Sequence, residues 1–356
     1  MMKKAFFVLI SVLFIGCTEE SSSPATNTDI LTMSLEDEPY YQQQWYLHYD
    51  NFFYIQNNIE ANAHINVGNM LQTNGGKGVK IAIIDDGLDM THEDLVGAII
   101  NSYDMNTKTT NVSHTTACGF HGTAVTGIIG ARVNHKGIHG IASSSSIIFL
   151  KYKEFMSESE TIELFAKAEE FGADIINCSW GTNDVSQPVK EKIQDLAING
   201  RNGKGTIIVF AAGNENKDMG NDESSIPEVI AVGATDKDNL RVWYSNYGQN
   251  LDVMAPGGSD IGITTLDDMY QNGLSSMDEN YFLYNDDYPF IGTSASAPIV
   301  SGAIALLLEK NPNVTRAEVE TILQNSSDKI GAVPYVTGRN NVYGYGKINL
   351  TNLMAL

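Results

Sequence analysis

Positive charge is scarce in this sequence: 22 Lys and Arg stand against 43 Asp and Glu in 356 residues, a formal net charge of −21. Phosphate backbones are held by basic patches, and none stands out, so nucleic acid is not an expected partner. Long apolar runs are missing too. The one pronounced N-terminal run covers residues 5–15, too short to span a bilayer permanently. There is no HExxH pair, and His92 stands at no zinc-ligand spacing. No internal repeat is visible, and no linker-like stretch follows residue 37. Apolar residues make up 42% and charged ones 18%. That is globular composition, enough for one large domain or two small ones. The acidic excess suits cationic substrates, bound calcium or simply solubility.

Met1-Met2-Lys3-Lys4 followed by the short apolar run has the form of an export signal. It closes on Leu13-Phe14-Ile15-Gly16-Cys17, which resembles a bacterial lipobox, although Phe14 stands where leucine is usual. The expectation is therefore a lipoprotein-type signal over residues 1–16 and a lipid on Cys17, the plain alternative being an ordinary signal peptide. A diacylglycerol anchors stably where one acyl chain would not. Residues 17–37, rich in Ser, Thr, Glu and Asn, read as a flexible tether. The expected location is the bacterial cell envelope. Thr18 rather than aspartate follows Cys17, which favours the outer membrane or cell surface. Of the other cysteines, Cys118 and Cys178, pairing and buried free thiols both remain open.

From residue 38 onward, strand and helix signals alternate. Apolar runs at 79–84, 145–152, 173–178, 206–210 and 229–232 have the length and β-branched content of buried parallel strands. Helical patterns fall at 122–131, 158–171, 189–199 and 294–309, the last tolerating Pro298 in its first turns. The predicted fold is α/β: an open, mostly parallel sheet with helices on both faces. Sites in such sheets lie outside the carboxyl ends of the strands. Three candidate groups fall at such boundaries. Asp85 ends the run Ile83-Ile84-Asp85-Asp86-Gly87, His121 opens a small-residue helix, and Ser294 opens another after Gly292. A serine hydroxyl needs an adjacent base, an imidazole supplies it, and a carboxylate orients the imidazole. Taken singly, Asp85 could be a strand-end cap, and His121 and Ser294 helix N-terminal residues.

The order Asp, His, Ser in these contexts resembles the subtilase family. The motifs IIDDG, HGTAVTG and GTSASAP carry the resemblance, with NCSWG, AAGNEN, AVGATD, YSNYG, DVMAPGG and YGYGKIN also in family order. It implies a subtilisin-like three-layer peptidase domain over residues 38–356 and a serine endopeptidase acting on exported or extracellular proteins. Asn214 is implied in the oxyanion hole, with Ser179, Trp180 and Gly181 pairing an extended polypeptide substrate. Gln43-Gln44-Trp45-Tyr46-Leu47, Asp86 and Trp180 resemble the kexin and furin branch. In that branch the acids corresponding to Asp86 and Asp184 face basic P2 and P1 side chains, and cleavage after basic residues follows. Both acids could equally be solvated surface groups. Two departures stand against the analogy: no kexin-type β domain follows the peptidase motifs, and the stretch after Asn214 is short. The resemblance also implies structural calcium held by Glu38, Asp94 and Asn134, and no organic cofactor. About twenty residues separate Cys17 from the domain, too few for an inhibitory prodomain. Competing functions are a peptide-binding module that has lost activity, a transpeptidase whose residues 259–288 exclude water, and a structural lipoprotein.

Overall fold

In the computed structural model, which describes residues 38–114 and 119–356, adjacent residues of each central strand face opposite cores. Cys17, the tether and Cys118 lie outside the described residues. On strand β1 (Lys80–Asp85), Ile81 and Ile83 point into one apolar cluster while Ala82 and Ile84 point into another. The same division runs through β3 (Ser146–Lys151), β4 (Ile175–Cys178) and β5 (Ile207–Ala211), all fully buried or nearly so. Burial on two faces removes the apolar–polar alternation of a half-exposed strand, which is why the centres of these strands are apolar apart from Asn177. With β2 (Ile99–Asp104), β6 (Ile230–Thr235) and β7 (Val253–Pro256), they form a sheet ordered β2-β3-β1-β4-β5-β6-β7. Every neighbouring pair is parallel, with Ile83 of β1 standing between Phe149 of β3 and Asn177 of β4.

After a short N-terminal helix α1 (Asn51–Asn57), helix α2 (His121–Gly130) and α5 (Thr293–Lys310) cover one face. Helices α3 (Glu158–Glu170) and α4 (Gln187–Gly203) cover the other. Backbone angles leave the helical region at Gly200, so the regular part of α4 ends at Asn199. Helices α6 (Arg316–Ser326) and α7 (Leu350–Ala355) close the chain. Among the described residues no helix is long and apolar enough to cross a membrane. A small antiparallel pair, β8 (Thr265–Leu266) with β9 (Tyr281–Phe282), belongs to the long connection between β7 and α5. The N-terminal Trp45 and Tyr46 staple that connection, donating to the carbonyls of Gly262 at 2.8 Å and Thr264 at 3.1 Å.

From β1 the chain crosses to edge strand β2, returns through β3 on that side of β1 and then passes to β4 on the other, so a crevice opens at the carboxyl end of the sheet. Asp85, Ser179 and Asn214 all follow strands into that crevice, and helices α2 and α5 point their N-termini at it.

Candidate active site

Asp85 is buried at the end of β1, where its Oδ1 accepts from His121 Nδ1 at 2.7 Å and from the Asp86 N–H at 2.8 Å. His121 is the first residue of α2. The helix comes this close because of Gly122: a Cβ there would stand 2.1 Å from the Gly87 carbonyl oxygen. No larger residue fits without moving the helix off Asp85. Burial works to lower the His121 pKa, but the charge and hydrogen bond of Asp85, with the charge of Asp86, outweigh it and hold the value above the ordinary one. With Nδ1–H donated to Asp85, Nε2 is left as an acceptor on the cleft side, a tautomer inferred from the partner.

Ser294 is the second residue of α5, and its N–H is one of the first-turn donors with no helical partner. Its hydroxyl donates to the Ser179 carbonyl at 3.1 Å rather than to His121, although Ser294 and His121 line the same cavity. Turning the serine about its Cα–Cβ bond is therefore required before the imidazole can take its proton. Pro298 has a part in this arrangement. It carries no N–H for the carbonyl four residues back, and that carbonyl, on Ser294, instead accepts from Ser179 Oγ at 3.0 Å. The missing helical bond thus becomes a tie between the serine and the cleft wall.

Asn214 follows β5 and is exposed to the crevice. Its Oδ1 accepts from the Thr293 N–H and from Thr293 Oγ1, both at 2.9 Å, which fixes the side-chain amide at the cavity it shares with His121 and Ser294. Thr293 is an orienting residue that sequence reasoning did not single out, though it stands inside GTSASAP. Beside Ser294, residues Ser179, Trp180 and Gly181 form one wall of a pocket and Gly213, Asn214 and Glu215 the other. Trp180 is turned into the core, its indole N–H donating to the Ile84 carbonyl at 2.8 Å and its ring against Phe210.

Of the two expected recognition acids, Asp184 stands away from the pocket and Asp86 stands beside Asp85 with a partner already in place. Asp184 is exposed and does not line the pocket, whose acids are Glu215 and Asp222. Glu215 is engaged by Asn246 Nδ2 at 2.7 Å. Asp222 accepts from Ser224 Oγ with one oxygen, at 2.6 Å, and sets the other opposite Gly181. Burial raises the Asp222 pKa, with the Ser224 hydrogen bonds opposing it. Asp86 does stand beside Asp85, but its Oδ1 already accepts from His114 Nε2 at 3.0 Å and the Gly122 N–H at 2.9 Å. Nothing in the sequence beyond a histidine seven residues before His121 signals His114, and only proximity to AAGNEN signals Asp222.

Glu38, Asp94 and Asn134 are brought together some distance along the fold. Buried Glu38 accepts from the N–H groups of Asn134, His135 and Lys136 at 2.8–2.9 Å. Buried Asp94 accepts from the Ile138 N–H through Oδ2 at 3.1 Å. Asp94 Oδ1 and Asn134 Oδ1 are buried without a hydrogen-bond partner among the described residues. Burial, with the charges of Glu38 and Glu93, pushes the Asp94 pKa up to about 7. Two orphaned oxygens beside a crowded pair of carboxylates fit a hard divalent cation.

The Subtilase family matches this chain over residues 76–346. A calcium-dependent protease of a Nostoc species is 33% identical over 89% of the chain and 51% of its own length. A subtilisin of Bacillus pumilus is 32% identical over 77% of the chain and 90% of its own length. Among solved structures, a protease of Pseudoalteromonas arctica matches with a TM-score of 0.71 at 26% identity, over 90% of this chain and 99% of that one. The chain spans about half the length of the first curated relatives it matches.

Proposed function

Because the chain belongs to the subtilase family, we propose that it is a serine endopeptidase working through Asp85, His121 and Ser294, with Asn214 in the oxyanion hole. The observation that carries the reading is the 2.7 Å Asp85–His121 pair opening onto the cavity that also holds Ser294 and Asn214. In the first step Ser294 Oγ turns from the Ser179 carbonyl, gives its proton to His121 Nε2 and bonds to the scissile carbonyl carbon. The carbonyl oxygen takes the negative charge and accepts from the Ser294 N–H and Asn214 Nδ2. Collapse breaks the C–N bond, and the His121 proton leaves with the amine. Water then repeats the sequence on the acyl-enzyme. Asp85 stabilises the imidazolium throughout.

The pocket wall at 179–181 suits an extended polypeptide, and Asp222 supports a preference for a cationic P1 side chain, the role expected of Asp184. A guanidinium would relieve a carboxylate that burial now penalises. A peptide library read by mass spectrometry tests both levels. Hydrolysed termini with Arg or Lys at P1, a preference falling about tenfold or more in Asp222→Asn, are expected. Equal cleavage after Leu, Phe and Arg would remove the P1 assignment, and joined termini would replace hydrolysis by transpeptidation.

Calcium at Glu38, Asp94 and Asn134 is part of the same reading, supported by the two orphaned oxygens. There it would fix the N-terminal segment to the loop at 134–138. Export and a lipid on Cys17 rest on residues 1–17. Loss of labelled palmitate incorporation in Cys17→Ala is the expected result, and equal labelling would remove the anchor.

A further inference from the structure

Seven residues before His121, a second histidine is held by carboxylates at both ring nitrogens. His114 Nδ1 is 2.6 Å from Asp268 Oδ2, and Nε2 is 3.0 Å from Asp86 Oδ1. The imidazole side chain is only 6% exposed. It lies in a slot made by two glycines: a Cβ on Gly87 would come within 2.5 Å of the ring, and one on Gly119 within 2.6 Å. Its two partners reach further. Asp86 Oδ1 also accepts the Gly122 N–H at the start of α2, and Asp268 Oδ1 accepts Thr123 Oγ1 at 2.5 Å. Both carboxylates are therefore fastened to the first turn of the helix that carries His121.

Two carboxylates facing one imidazole from opposite sides require both nitrogens to donate, and only the cation does that. Without it, Asp86 and Asp85 would stand as adjacent negative groups beside His121. We propose that His114 is a positioning residue of this centre: as the counter-ion of Asp86 it offsets the charge next to Asp85, fixes the first turn of α2 and leaves Asp85 the dominant partner of His121. The inference rests on the endopeptidase reading only where activity is the readout. It also accounts for Asp86 being a poor partner for a substrate cation, since an internal cation already occupies it.

Among the described residues, Asp86 and Asp268 touch His114, Lys151 Nζ donates to the neighbouring Ser113 carbonyl and stands 3.7 Å from Asp104 Oδ2, and the Asp89 backbone N–H donates to Thr123 Oγ1. His121 faces Asp85, Asp86 and His114, and Tyr152 lies close to both aspartates. Burial opposes a charge on His114, but the hydrogen bonds and charges of Asp268 and Asp86 outweigh it and place its pKa at about 9.

The test has two readouts. In His114→Gln the uncompensated Asp86 charge stabilises the His121 imidazolium, so the acid limb of kcat/KM moves to higher pH, by about 0.5–1 unit. Asp86→Asn moves it the other way. An unmoved limb in both single variants would overturn the proposal. Independently of activity, selective ¹⁵N-histidine NMR of the unmodified protein should find two N–H protons on His114 from pH 6 to pH 8. A single N–H at pH 7 would overturn it even if His114→Gln failed to fold. A chain with the doubly protonated ring and no peptidase activity would sink the endopeptidase reading and leave His114 as the counter-ion.

Discussion

Two histidines meet carboxylates at the carboxyl end of β1, and they differ in what is left over. His121 spends one nitrogen on Asp85, and its side chain stays 26% exposed with the other nitrogen toward the cleft. His114 spends both nitrogens, on Asp86 and Asp268, and is almost sealed. In the reading proposed here, neighbouring aspartates hold one ring as a base and the other as a fixed cation. Contact with a carboxylate does not by itself make a histidine catalytic. An unspent nitrogen is needed as well, and His121 keeps one while lining the cavity shared by Ser294 and Asn214.

The comparison breaks most visibly at the chemical step. Ser294→Ala or His121→Ala should each lower kcat by about 10⁴–10⁶, while His114→Gln should stay within about tenfold at its own pH optimum. Comparable losses at both histidines, in folded proteins, would erase the distinction. Asn214→Ala should cost about 10²–10³ in kcat with KM little changed. Thr293→Val, which frees the amide oxygen of Asn214 from one of its two anchors, should cost only several-fold.

Stability against pH sharpens the same contrast. The folded-state pKa of His114 is raised to about 9 from an unfolded value near 6.5. Its contribution is therefore complete below pH 6.5 and is lost as pH rises through about 9. The Tm difference between the native protein and His114→Gln should shrink across that window, and a difference that grows would contradict the assignment. Away from both histidines, EDTA should lower Tm by several degrees, a response that Asp94→Asn removes. No shift with EDTA would take the cation out of the account.

Much of this was legible from the chain because the requirements are local. A strand buried on both faces must be mostly apolar, and β1, β4 and β5 are at their centres, with buried Asn177 hydrogen-bonded to Ser179 and Ser301. A helix that must approach Asp85 needs glycine after its histidine, and HGT supplies it. Strand β2 escaped notice because it is an edge strand with a partly exposed face, so Ile99–Asp104 carries no apolar run. Strand β7 (Val253–Pro256), inside DVMAPGG, is only four residues long and ends in proline. The site followed the same rule. Asp85, His121, Ser294 and Asn214 stand at element boundaries within motifs, whereas His114 and Asp222 stand in unpatterned loops, and Asp268, which holds His114, is 154 residues away from it. Spacing after SWG pointed to Asp184, but only the fold shows that residues 220–222 return to the pocket.

In the proposed mechanism the fold activates Ser294 through His121. Labelling the folded chain with a fluorophosphonate across pH 5–9, beside Ser294→Ala and His121→Gln, measures that most directly. The account predicts labelling that rises with pH as His121 loses its proton, disappears in Ser294→Ala and is lost by orders of magnitude in His121→Gln. Labelling absent from the folded, calcium-supplied protein, or unchanged in His121→Gln, would contradict it.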